Sequence, residues 1–546
     1  MNKKQIVISL VIISIISLGF KFYLVDFSIP VYSDNMAYTL DGIAHVNGDF
    51  SQRTDRGSGW SYFIFPFFSL IESDNFIDYS NAIRMISIGL ATITIIPVYL
   101  LGRKFFDPKY SVVVASLFAF EPHLNYNSGF GLSEPLFHLA IILSFYFVLN
   151  KNSKFIIPAL ILAGCTWWIR FNGITVFIII SIIYFVTLRG SPKIWRHFGL
   201  AVVLFLIVIA PMLYERNDQF GDPLYFSYTK TIFAESWDKS ISIESKNAEF
   251  TAWSYVEKYG VGAFFNDFIL KGFVNIVTIL AKISFPYLFI LIPFGVLFSF
   301  RAFDQDRRFI QANWLFILLS IGSMVITFSL IPDKRYLYFI LPFLMLFATI
   351  PIQRVVEYGL STFSFTDSQK NIFLVIVIII VIILSSIFTL RYELSDEQLE
   401  SEKIKFSDYA IKNLKGNIQR DYGHSLDYLH LQLITNHEIN FKNCGVEYNI
   451  EFCGIDRDTI PRTMTVSGSS MEELILNGER YELEYIISNK ESEGFQRFID
   501  DVYNNEERYP YLIKIFDSEK EGYGKLFFKV FKIDYNIFHK FQNIGD

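Results

Sequence analysis

The chain has 546 residues, of which 52% are hydrophobic, 18% aromatic and only 19% charged, and its mean hydropathy is +0.34. A soluble protein of this size normally carries about 25% charged residues, so the composition excludes an ordinary soluble protein. The formal net charge of −6 argues against a nucleic-acid-binding protein, which normally presents a basic face.

The apolar residues collect in blocks long enough to cross a bilayer. A spanning helix needs about 20 mostly apolar residues, and blocks such as IVISLVIISIISLGF and IFLVIVIIIVIILSSIF belong to segments of that length. We therefore predict a polytopic α-helical membrane domain over residues 1–392 with about eleven spans. These lie near 5–25, 80–101, 111–128, 133–149, 154–169, 173–188, 198–214, 272–300, 309–331, 336–351 and 371–390. The block 60–71 is too short to span and is predicted to lie at the interface or to re-enter.

Basic residues near the predicted helix ends indicate the orientation. Lys and Arg mark cytoplasmic loops, and the clusters within 3–4, 103–109, 151–154, 189–196, 301–308 and 354–370 all fall on one side. The N-terminus is therefore predicted to be cytoplasmic and the protein to lie in the cell membrane. The first apolar run is predicted to be an uncleaved helix, because no small-residue cleavage site follows it.

With an odd number of spans, residues 393–546 are predicted to form an extracellular α/β domain. The segments EQLESEKIKFSDYAIKNLK and EGFQRFIDDVYNNE have helical periodicity, whereas YELEYIIS and KLFFKVFKI alternate like strands. Cys444 and Cys453 in this domain either form a disulfide or stay reduced. Cys165 lies in an apolar block and is interpreted as a packing residue.

The first outer loop contains a candidate functional helix. If residues 35–47 are helical, Asp34, Tyr38, Asp41 and His45 lie on one side, and the apolar residues lie on the other. The helix is predicted to rest on the membrane and to present this carboxylate-rich stripe. Two interpretations of the stripe stay open: a functional site, or a helix cap at Asp34 followed by a solvated face.

Further motifs follow this loop in order. They are Gly-Asp-Phe, Arg-Gly-Ser-Gly-Trp, NAIRMISIGLATITIIPVYLLGRKFF, FEPHLNYNSGFGLSEPLFHLAIIL, WWIRFNGI and PDKRYLYFILPFLML. Together they resemble the GT-C superfamily of membrane glycosyltransferases, specifically the dolichyl-phosphate-mannose protein mannosyltransferase-like members. The resemblance covers most of residues 1–392.

The resemblance implies transfer of a sugar from a polyprenyl-phosphate carrier to a protein, lipid or glycan acceptor on the outer face. Asp34 matches the early loop Asp of the family and is the candidate base for the acceptor hydroxyl. Arg335 and Tyr336 match a late Arg-Tyr motif, and Arg335, with Lys334, is the candidate that holds the carrier phosphate. Arg170 in the Arg-x-x-Gly turn either joins them or snorkels to the interface.

Two carboxylates and two arginines complete the predicted site. Glu121 and Glu134 flank an outer turn, and Glu134 matches the Ser-Glu-Pro element, which makes it the second catalytic candidate and Glu121 a substrate-binding one. The Pro after each Glu also fits a simple helix start. Arg53 and Arg56 either bind phosphate or pair with Asp49 and Asp55.

The resemblance also bears on cofactors. Asp34, Asp41 and His45 offer ligands for a divalent metal, but the mannosyltransferase-like members imply that none is needed. The oligosaccharyltransferase branch carries a Trp-Trp-Asp-Tyr-Gly signature in its outer domain, and residues 393–546 do not contain this string. We therefore expect neither a metal nor en bloc oligosaccharide transfer.

There are two alternative functions for a polytopic membrane protein of this kind. A transporter or flippase of a lipid-linked or amphipathic substrate would need charged groups in mid-span, and the central blocks have almost none. A polymer ligase would place its large outer loop late in the chain. The early acidic loop favours the transferase.

Overall fold

The computed structural model describes residues 3–190, 193–245, 248–301, 306–393, 397–421, 423–436, 440–446, 460–490 and 496–545. The helices, in chain order, are α1 Lys3–Tyr23, α2 Ser33–Val46, α3 Gly59–Phe68, α4 Phe76–Ile93, α5 Ile95–Phe105, α6 Pro108–Ala119, α7 Pro122–Ser128, α8 Glu134–Val148, α9 Ile156–Ile169, α10 Ile174–Thr187, α11 Ile194–Phe220, α12 Trp237–Ile241, α13 Ala252–Phe264, α14 Lys271–Ile283, α15 Leu288–Ser299, α16 Arg307–Leu330, α17 Leu341–Arg354, α18 Leu360–Thr362, α19 Asp367–Phe388, α20 Glu397–Asn413, α21 Leu429–Asn436, α22 Met471–Glu479, α23 Arg497–Asp501 and α24 Tyr535–Gly545. The strands are β1 Gly416–Gln419, β2 Pro461–Met464, β3 Leu483–Asn489, β4 Leu512–Asp517 and β5 Phe528–Ile533.

The chain forms two units. The helical unit comprises Met1–Ile29, Phe50–Phe226 and Phe265–Leu394, and the α/β unit comprises Pro30–Asp49, Ser227–Phe264 and Ser395–Asp546. The last segment of the α/β unit begins at Ser395, close to the predicted boundary at residue 393. It also includes α2 and the segment 227–264, both of which interrupt the predicted membrane domain.

Long apolar helices confirm that this is a polytopic helical membrane protein. Within the described ranges, seven helical segments are long and apolar enough to span a bilayer, and five shorter apolar helices accompany them. The long segments are Lys3–Tyr23, Phe76–Phe105, Ile194–Phe220, Ala252–Ile283, Arg307–Leu330, Lys334–Thr362 and Asp367–Tyr392. The number of spans stays a prediction.

Three predicted spans are each divided between two helices. The segment 272–300 is divided into α14 and α15, 111–128 into α6 and α7, and 80–101 into α4 and α5. The second division occurs because Glu121 caps a new helix, in which Pro122 occupies the first turn. Proline lacks a backbone N–H and is well placed only at such a start.

Close helix packing builds the core of the helical unit. α17 is apolar on every side, and all of its residues are buried, as expected for a central helix. A Cβ atom at Gly295 in α15 would lie only 2.1 Å from the carbonyl oxygen of Phe347 in α17. Small residues at such points allow two membrane helices to approach closely.

The α/β unit is built on a five-stranded sheet with strand order β2-β1-β3-β5-β4. β1 pairs in parallel with β2 and β3, whereas β5 pairs antiparallel with β3 and β4. Three of the predicted elements are confirmed as α20, β3 and β5. The helix predicted from EGFQRFIDDVYNNE is described only from residue 496, where it is the short α23.

For Cys444, the structure shows the first of the two alternatives, a disulfide. Cys444 takes part in a disulfide bond and is buried, whereas Cys453 lies outside the described residues. Cys165 is a free thiol in α9, within the apolar helix where it was placed as a packing residue.

Candidate active site

A buried ion pair joins the start of α8 to the end of α9. The Arg170 guanidinium lies 2.6 Å from Glu134 Oε1, and the two side chains are only 16% and 3% exposed. Glu134 is in the first turn of α8, where the helix dipole favours a carboxylate, and Arg170 directly follows α9. A charge buried to this degree is stable only with such a partner.

Aromatic rings surround the arginine of this pair. The Arg170 guanidinium carbon lies 5.0 Å from the ring centre of Tyr336 and 5.9 Å from that of Phe137. Both distances fit cation–π contacts. The structure therefore brings together three residues that the sequence selected separately: Glu134, Arg170 and Tyr336.

The Arg-Gly-Ser-Gly-Trp turn sets the position of both charged groups. A Cβ atom at Gly57 or Gly59 would lie 2.5 Å from backbone atoms of Trp168, two residues before Arg170. On the other side, the indole Nε1 of Trp60 donates to the carbonyl oxygen of Gly131 at 2.9 Å, three residues before Glu134. Close packing thus explains the two glycines of this motif, and a hydrogen bond explains its tryptophan.

The Arg-x-x-Gly turn also depends on its glycine. A Cβ atom at Gly173 would lie 2.2 Å from the carbonyl oxygen of Thr166 in α9. The short 3₁₀ helix Phe171–Gly173 folds back against the helix end, and Thr166 Oγ1 donates to the Gly173 carbonyl at 3.2 Å. This turn holds Arg170 at the surface of α9 that faces Glu134.

Arg335 has an acidic partner that the sequence analysis missed. Its Nε and a terminal nitrogen contact Asp333 Oδ2 at 2.8 and 2.7 Å, and its backbone N–H donates to Asp333 Oδ1 at 2.8 Å. Asp333 caps the 3₁₀ segment Lys334–Ile340. The signal in the sequence is the Pro-Asp pair before Lys334, which is typical of such a cap. Lys334 is exposed.

Arg53 and Arg56 pair with Asp55, as one of the two predicted alternatives required. Arg53 Nε lies 3.0 Å from Asp55 Oδ1, and Arg56 contacts Oδ2 at 2.9 Å. Burial alone raises the pKa of Asp55, but the charges of Arg56 and Arg53 outweigh it and hold this pKa well below its ordinary value. Asp49 accepts a hydrogen bond from the Val446 backbone N–H at 3.0 Å.

A buried arginine supports this turn and was also missed. Arg216 in α11 donates to the carbonyl oxygens of Arg53 at 3.1 Å and Arg56 at 3.3 Å, and it also donates to that of Tyr225. Its side chain is among the most deeply buried large side chains of the chain. Nothing in the local sequence of α11 distinguishes it from a snorkelling arginine, because Arg53 and Arg56, the two partners in this turn, are 160 or more residues away.

Glu121 takes the structural alternative. Its Oε2 accepts a hydrogen bond from the Leu124 backbone N–H at 2.6 Å, which makes it the N-cap of α7. The residue is completely buried. A substrate-binding role for Glu121 has no support in this contact and stays a prediction.

In the α/β unit, α2 confirms the predicted loop helix. Asp41 and His45 are buried, so the alternative of a solvated face is wrong for these two residues. The end of the helix is held on the segment 441–446: Asn47 Nδ2 donates to the Lys442 carbonyl at 2.6 Å, and Asp49 Oδ2 accepts from the Val446 backbone N–H at 3.0 Å. His45 Nδ1 lies 2.7 Å from the Asp49 carbonyl oxygen, a contact that ties the helix end to its turn.

Asp34 differs from its neighbours on the stripe. It lies in the first turn of α2 and is only partly buried. The cap position belongs to Tyr32, which makes no capping bond, so Asp34 is not the cap of this helix. Within the described ranges, no three His, Cys, Asp or Glu side chains are grouped as metal ligands would be.

No family model and no curated protein matches the chain. Among solved structures, it is similar to the Archaeoglobus fulgidus oligosaccharyltransferase in complex with Zn and sulfate. The identity is 13% and the TM-score 0.58, over 95% of this chain and 72% of that one. It is also similar to the oligosaccharyltransferase AglB from Archaeoglobus fulgidus in complex with an inhibitory peptide and a dolichol-phosphate. There the identity is 13% and the TM-score 0.56, over 94% of this chain and 73% of that one. For ArnT from Cupriavidus metallidurans bound to undecaprenyl phosphate, the identity is 11% and the TM-score 0.49, over 96% of this chain and 97% of that one. The two oligosaccharyltransferase structures show that this chain has the GT-C fold that its motifs predicted.

Proposed function

We propose that this protein is a membrane glycosyltransferase that moves a sugar from a polyprenyl-phosphate carrier to an acceptor on the outer face of the cell membrane. The observation that supports this most strongly is the shared fold over 94% of the chain with an oligosaccharyltransferase solved with a peptide and a dolichol-phosphate. The order of the motifs along residues 1–392 supports it independently. The orientation, with the N-terminus inside and the α/β unit outside, rests on the basic loops.

The helical unit supplies the cations that the carrier phosphate needs. When the sugar leaves, the phosphate gains negative charge, and fixed cations nearby lower the barrier. Arg335 and Lys334 begin a helical segment and are accessible. Asp333 orients the Arg335 guanidinium, so Lys334 is needed for a net positive charge at this helix start. Arg53 and Arg56 are neutralised in part by Asp55 and are weaker candidates.

The acceptor hydroxyl must lose a proton as it attacks. Its oxygen forms a bond to the anomeric carbon, the bond from that carbon to the phosphate oxygen breaks, and polyprenyl phosphate leaves with the electron pair. We assign the proton to Asp34, which is partly exposed and matches the loop Asp of the family. Glu134 is less suited, because Arg170 already holds its carboxylate.

We further propose a single-sugar donor and no required metal. The first rests on the lack of Trp-Trp-Asp-Tyr-Gly in residues 393–546, although the solved structures with this fold include an oligosaccharyltransferase. The second rests on the resemblance to mannosyltransferase-like members. Activity that survives exhaustive treatment with a chelator would support it, and recovery only with a divalent ion would contradict it.

The alternative is a transporter or flippase of a lipid-linked substrate. Such proteins place charged groups on broken helices near mid-span. Here the buried Glu134–Arg170 pair lies at helix ends, and the central part of α19, residues 371–388, has no charged residue. This distribution favours chemistry at the membrane surface.

The test is transfer by the purified full-length protein. It would be reconstituted in nanodiscs and given polyprenyl phosphates that carry single labelled sugars, with peptide, lipid and glycan acceptors. Transfer or release of sugar from at least one carrier is expected. Movement of intact carrier across proteoliposomes without sugar transfer would support the flippase instead.

A further inference from the structure

The ion pair at the start of α8 uses only one of the two carboxylate oxygens of Glu134. Arg170 contacts Glu134 Oε1, whereas Glu134 Oε2 is buried and has no hydrogen-bond partner among the described residues. The same is true, in the described part of the chain, of Nε2 of His138, which is also buried. His138 follows Glu134 by one helical turn, so both side chains lie on one face of α8.

Two unsatisfied polar atoms on one buried face call for a ligand. A buried polar group without a partner costs about 1–3 kcal/mol, so native proteins pair nearly all of them with protein, water or ligand. Arg170 is the common neighbour: it pairs with Glu134, its charge acts on His138, and its guanidinium lies over Phe137 and Tyr336. The face therefore combines hydrogen-bonding atoms with aromatic rings.

The chemistry of the two atoms selects the ligand. A carboxylate oxygen only accepts hydrogen bonds, and it repels a phosphate oxygen. A hydroxyl group donates to the carboxylate, and it can donate to or accept from an imidazole nitrogen. We propose that Glu134 Oε2 and His138 Nε2 form a subsite for hydroxyl groups of the sugar, distinct from the cations that hold the carrier phosphate. This inference rests on the proposed function.

The subsite changes the role of one predicted residue. Arg170 forms an ion pair with Glu134 and contacts the aromatic rings of Phe137 and Tyr336. It is therefore a positioning residue that orients the Glu134 carboxylate. It is not the second phosphate ligand that the sequence suggested as one alternative. Selectivity for the sugar is then decided at α8, and affinity for the carrier is decided at Arg335 and Lys334.

The experiment compares binding of carriers with and without a sugar. Undecaprenyl phosphate and its glucosyl, mannosyl and N-acetylglucosaminyl forms would be titrated against the full-length protein in nanodiscs. For the sugar form that the wild type prefers, Glu134→Gln and His138→Phe should weaken binding about 10- to 100-fold, as expected for lost hydrogen bonds of this kind. Binding of the bare phosphate should change less than about twofold. His197→Phe is the control, because His197 contacts Ser153 on another helix pair.

His138→Phe leaves the ion pair intact, so it tests the proposal even if Glu134→Gln fails to fold. The proposal is overturned if this variant weakens the bare and sugar-bearing carriers equally, if it weakens neither, or if the wild type gains nothing from any sugar. In the last two cases the two atoms hold water only. A wild type that binds no carrier at all would instead overturn the proposed function, and the subsite with it.

Discussion

The indole nitrogen of Trp60 donates a hydrogen bond to the carbonyl oxygen of Gly131 at 2.9 Å, across 71 residues of sequence. Gly131 has a positive φ of 79°, and a Cβ atom there would lie 2.9 Å from the Ile83 side chain. The residues between Gly131 and Glu134 are therefore held in place from two sides. The same turn packs Gly57 and Gly59 on Trp168, beside Arg170. One motif thus positions both ends of the buried ion pair.

Trp60→Phe should disturb this arrangement. The ring still fills most of the site, but the Gly131 carbonyl loses its donor, and we expect about 1–3 kcal/mol lower stability. Sugar transfer should fall as well, because Glu134 is no longer fixed. Thermal unfolding in detergent and the transfer assay measure the two effects. Trp195→Phe, at a side chain that is 73% exposed, is the control and should change neither.

Arg335→Ala should weaken binding of the bare carrier phosphate, since it removes the guanidinium at the start of the segment 334–340. We expect about a tenfold loss or more, as for a charge-assisted hydrogen bond. Lysine should rescue only partly, because its point charge lacks the bidentate fork. Titration of undecaprenyl phosphate against each variant measures the loss.

Asp333→Asn should not weaken binding of the carrier phosphate, in contrast to Arg335→Ala. It keeps the cap of this segment but removes the negative charge that faces Arg335, and asparagine caps about as well as aspartate. Binding of the bare phosphate should therefore become equal or tighter. Unchanged binding in this variant, together with normal binding by Arg335→Ala, would remove this helix start from the donor site.

The Asp55 cluster gives a prediction about pH. Asp55 lies between Arg53 and Arg56, and its pKa in the folded protein is well below the ordinary 3.8. A carboxyl whose pKa is lowered by folding stabilises the folded state above its unfolded pKa, and it loses that contribution as pH falls towards the folded pKa. The free energy of unfolding should therefore differ between wild type and Asp55→Asn at pH 6, and the difference should shrink below about pH 4. A difference independent of pH would contradict the ion pairs.

The sequence predicts the positions of the helices better than the contacts between residues that are far apart in the chain. The apolar blocks locate the helices, because length and hydropathy are local properties. The contacts of Asn47 and Asp49 with Lys442 and Val446 join residues 395 and 397 positions apart in the chain, and no local pattern contains that information. The same holds for the contacts of Arg216 with Arg53 and Arg56, which lie 160 or more residues earlier in the chain.

The site shows the same division. Glu134, Arg170 and Tyr336 were selected from separate motifs, and they meet because a helix start, a helix end and a 3₁₀ segment converge. His138 was not selected. It lies one turn inside an apolar helix, and such a histidine has no distinguishing pattern in the sequence. That the His138 Nε2 atom is buried without a hydrogen-bond partner among the described residues follows only from the three-dimensional structure.

Orientation can be tested by labelling single cysteines in intact cells, in a background without Cys165. Lys258 and Lys490 are exposed and lie in segments predicted to be outside. Arg103 and Arg307 are also exposed but lie in segments predicted to be cytoplasmic. A membrane-impermeant thiol reagent should label the first pair at once and the second only after lysis. Labelling of position 307 in intact cells would overturn the proposed orientation.

The most direct test of the chemistry is Asp34→Asn. Because Asp34 lies in the first turn of α2 and is not its cap, the change keeps the cap of the helix and removes the interaction of the carboxylate charge with the helix dipole, about 0.3–1 kcal/mol. Loss of a general base typically lowers the rate about 10²–10⁴-fold, so transfer should fall by that factor. Binding of the sugar-bearing carrier should survive, since the groups assigned to it belong to the helical unit.

The control for this variant has to match its position and not only its residue type. Asp41 is unsuitable, since it is buried, and a change there would confuse loss of stability with loss of activity. Asp78 is exposed in the first turn of α4, and Asp78→Asn removes a carboxylate from an equivalent helix position. It should leave the transfer rate within about twofold, because no acceptor chemistry is assigned to it. If Asp34→Asn transfers sugar as fast as this control, Asp34 is not the base, and Glu134, freed from Arg170 by a bound donor, becomes the candidate to test by Glu134→Gln in the same assay.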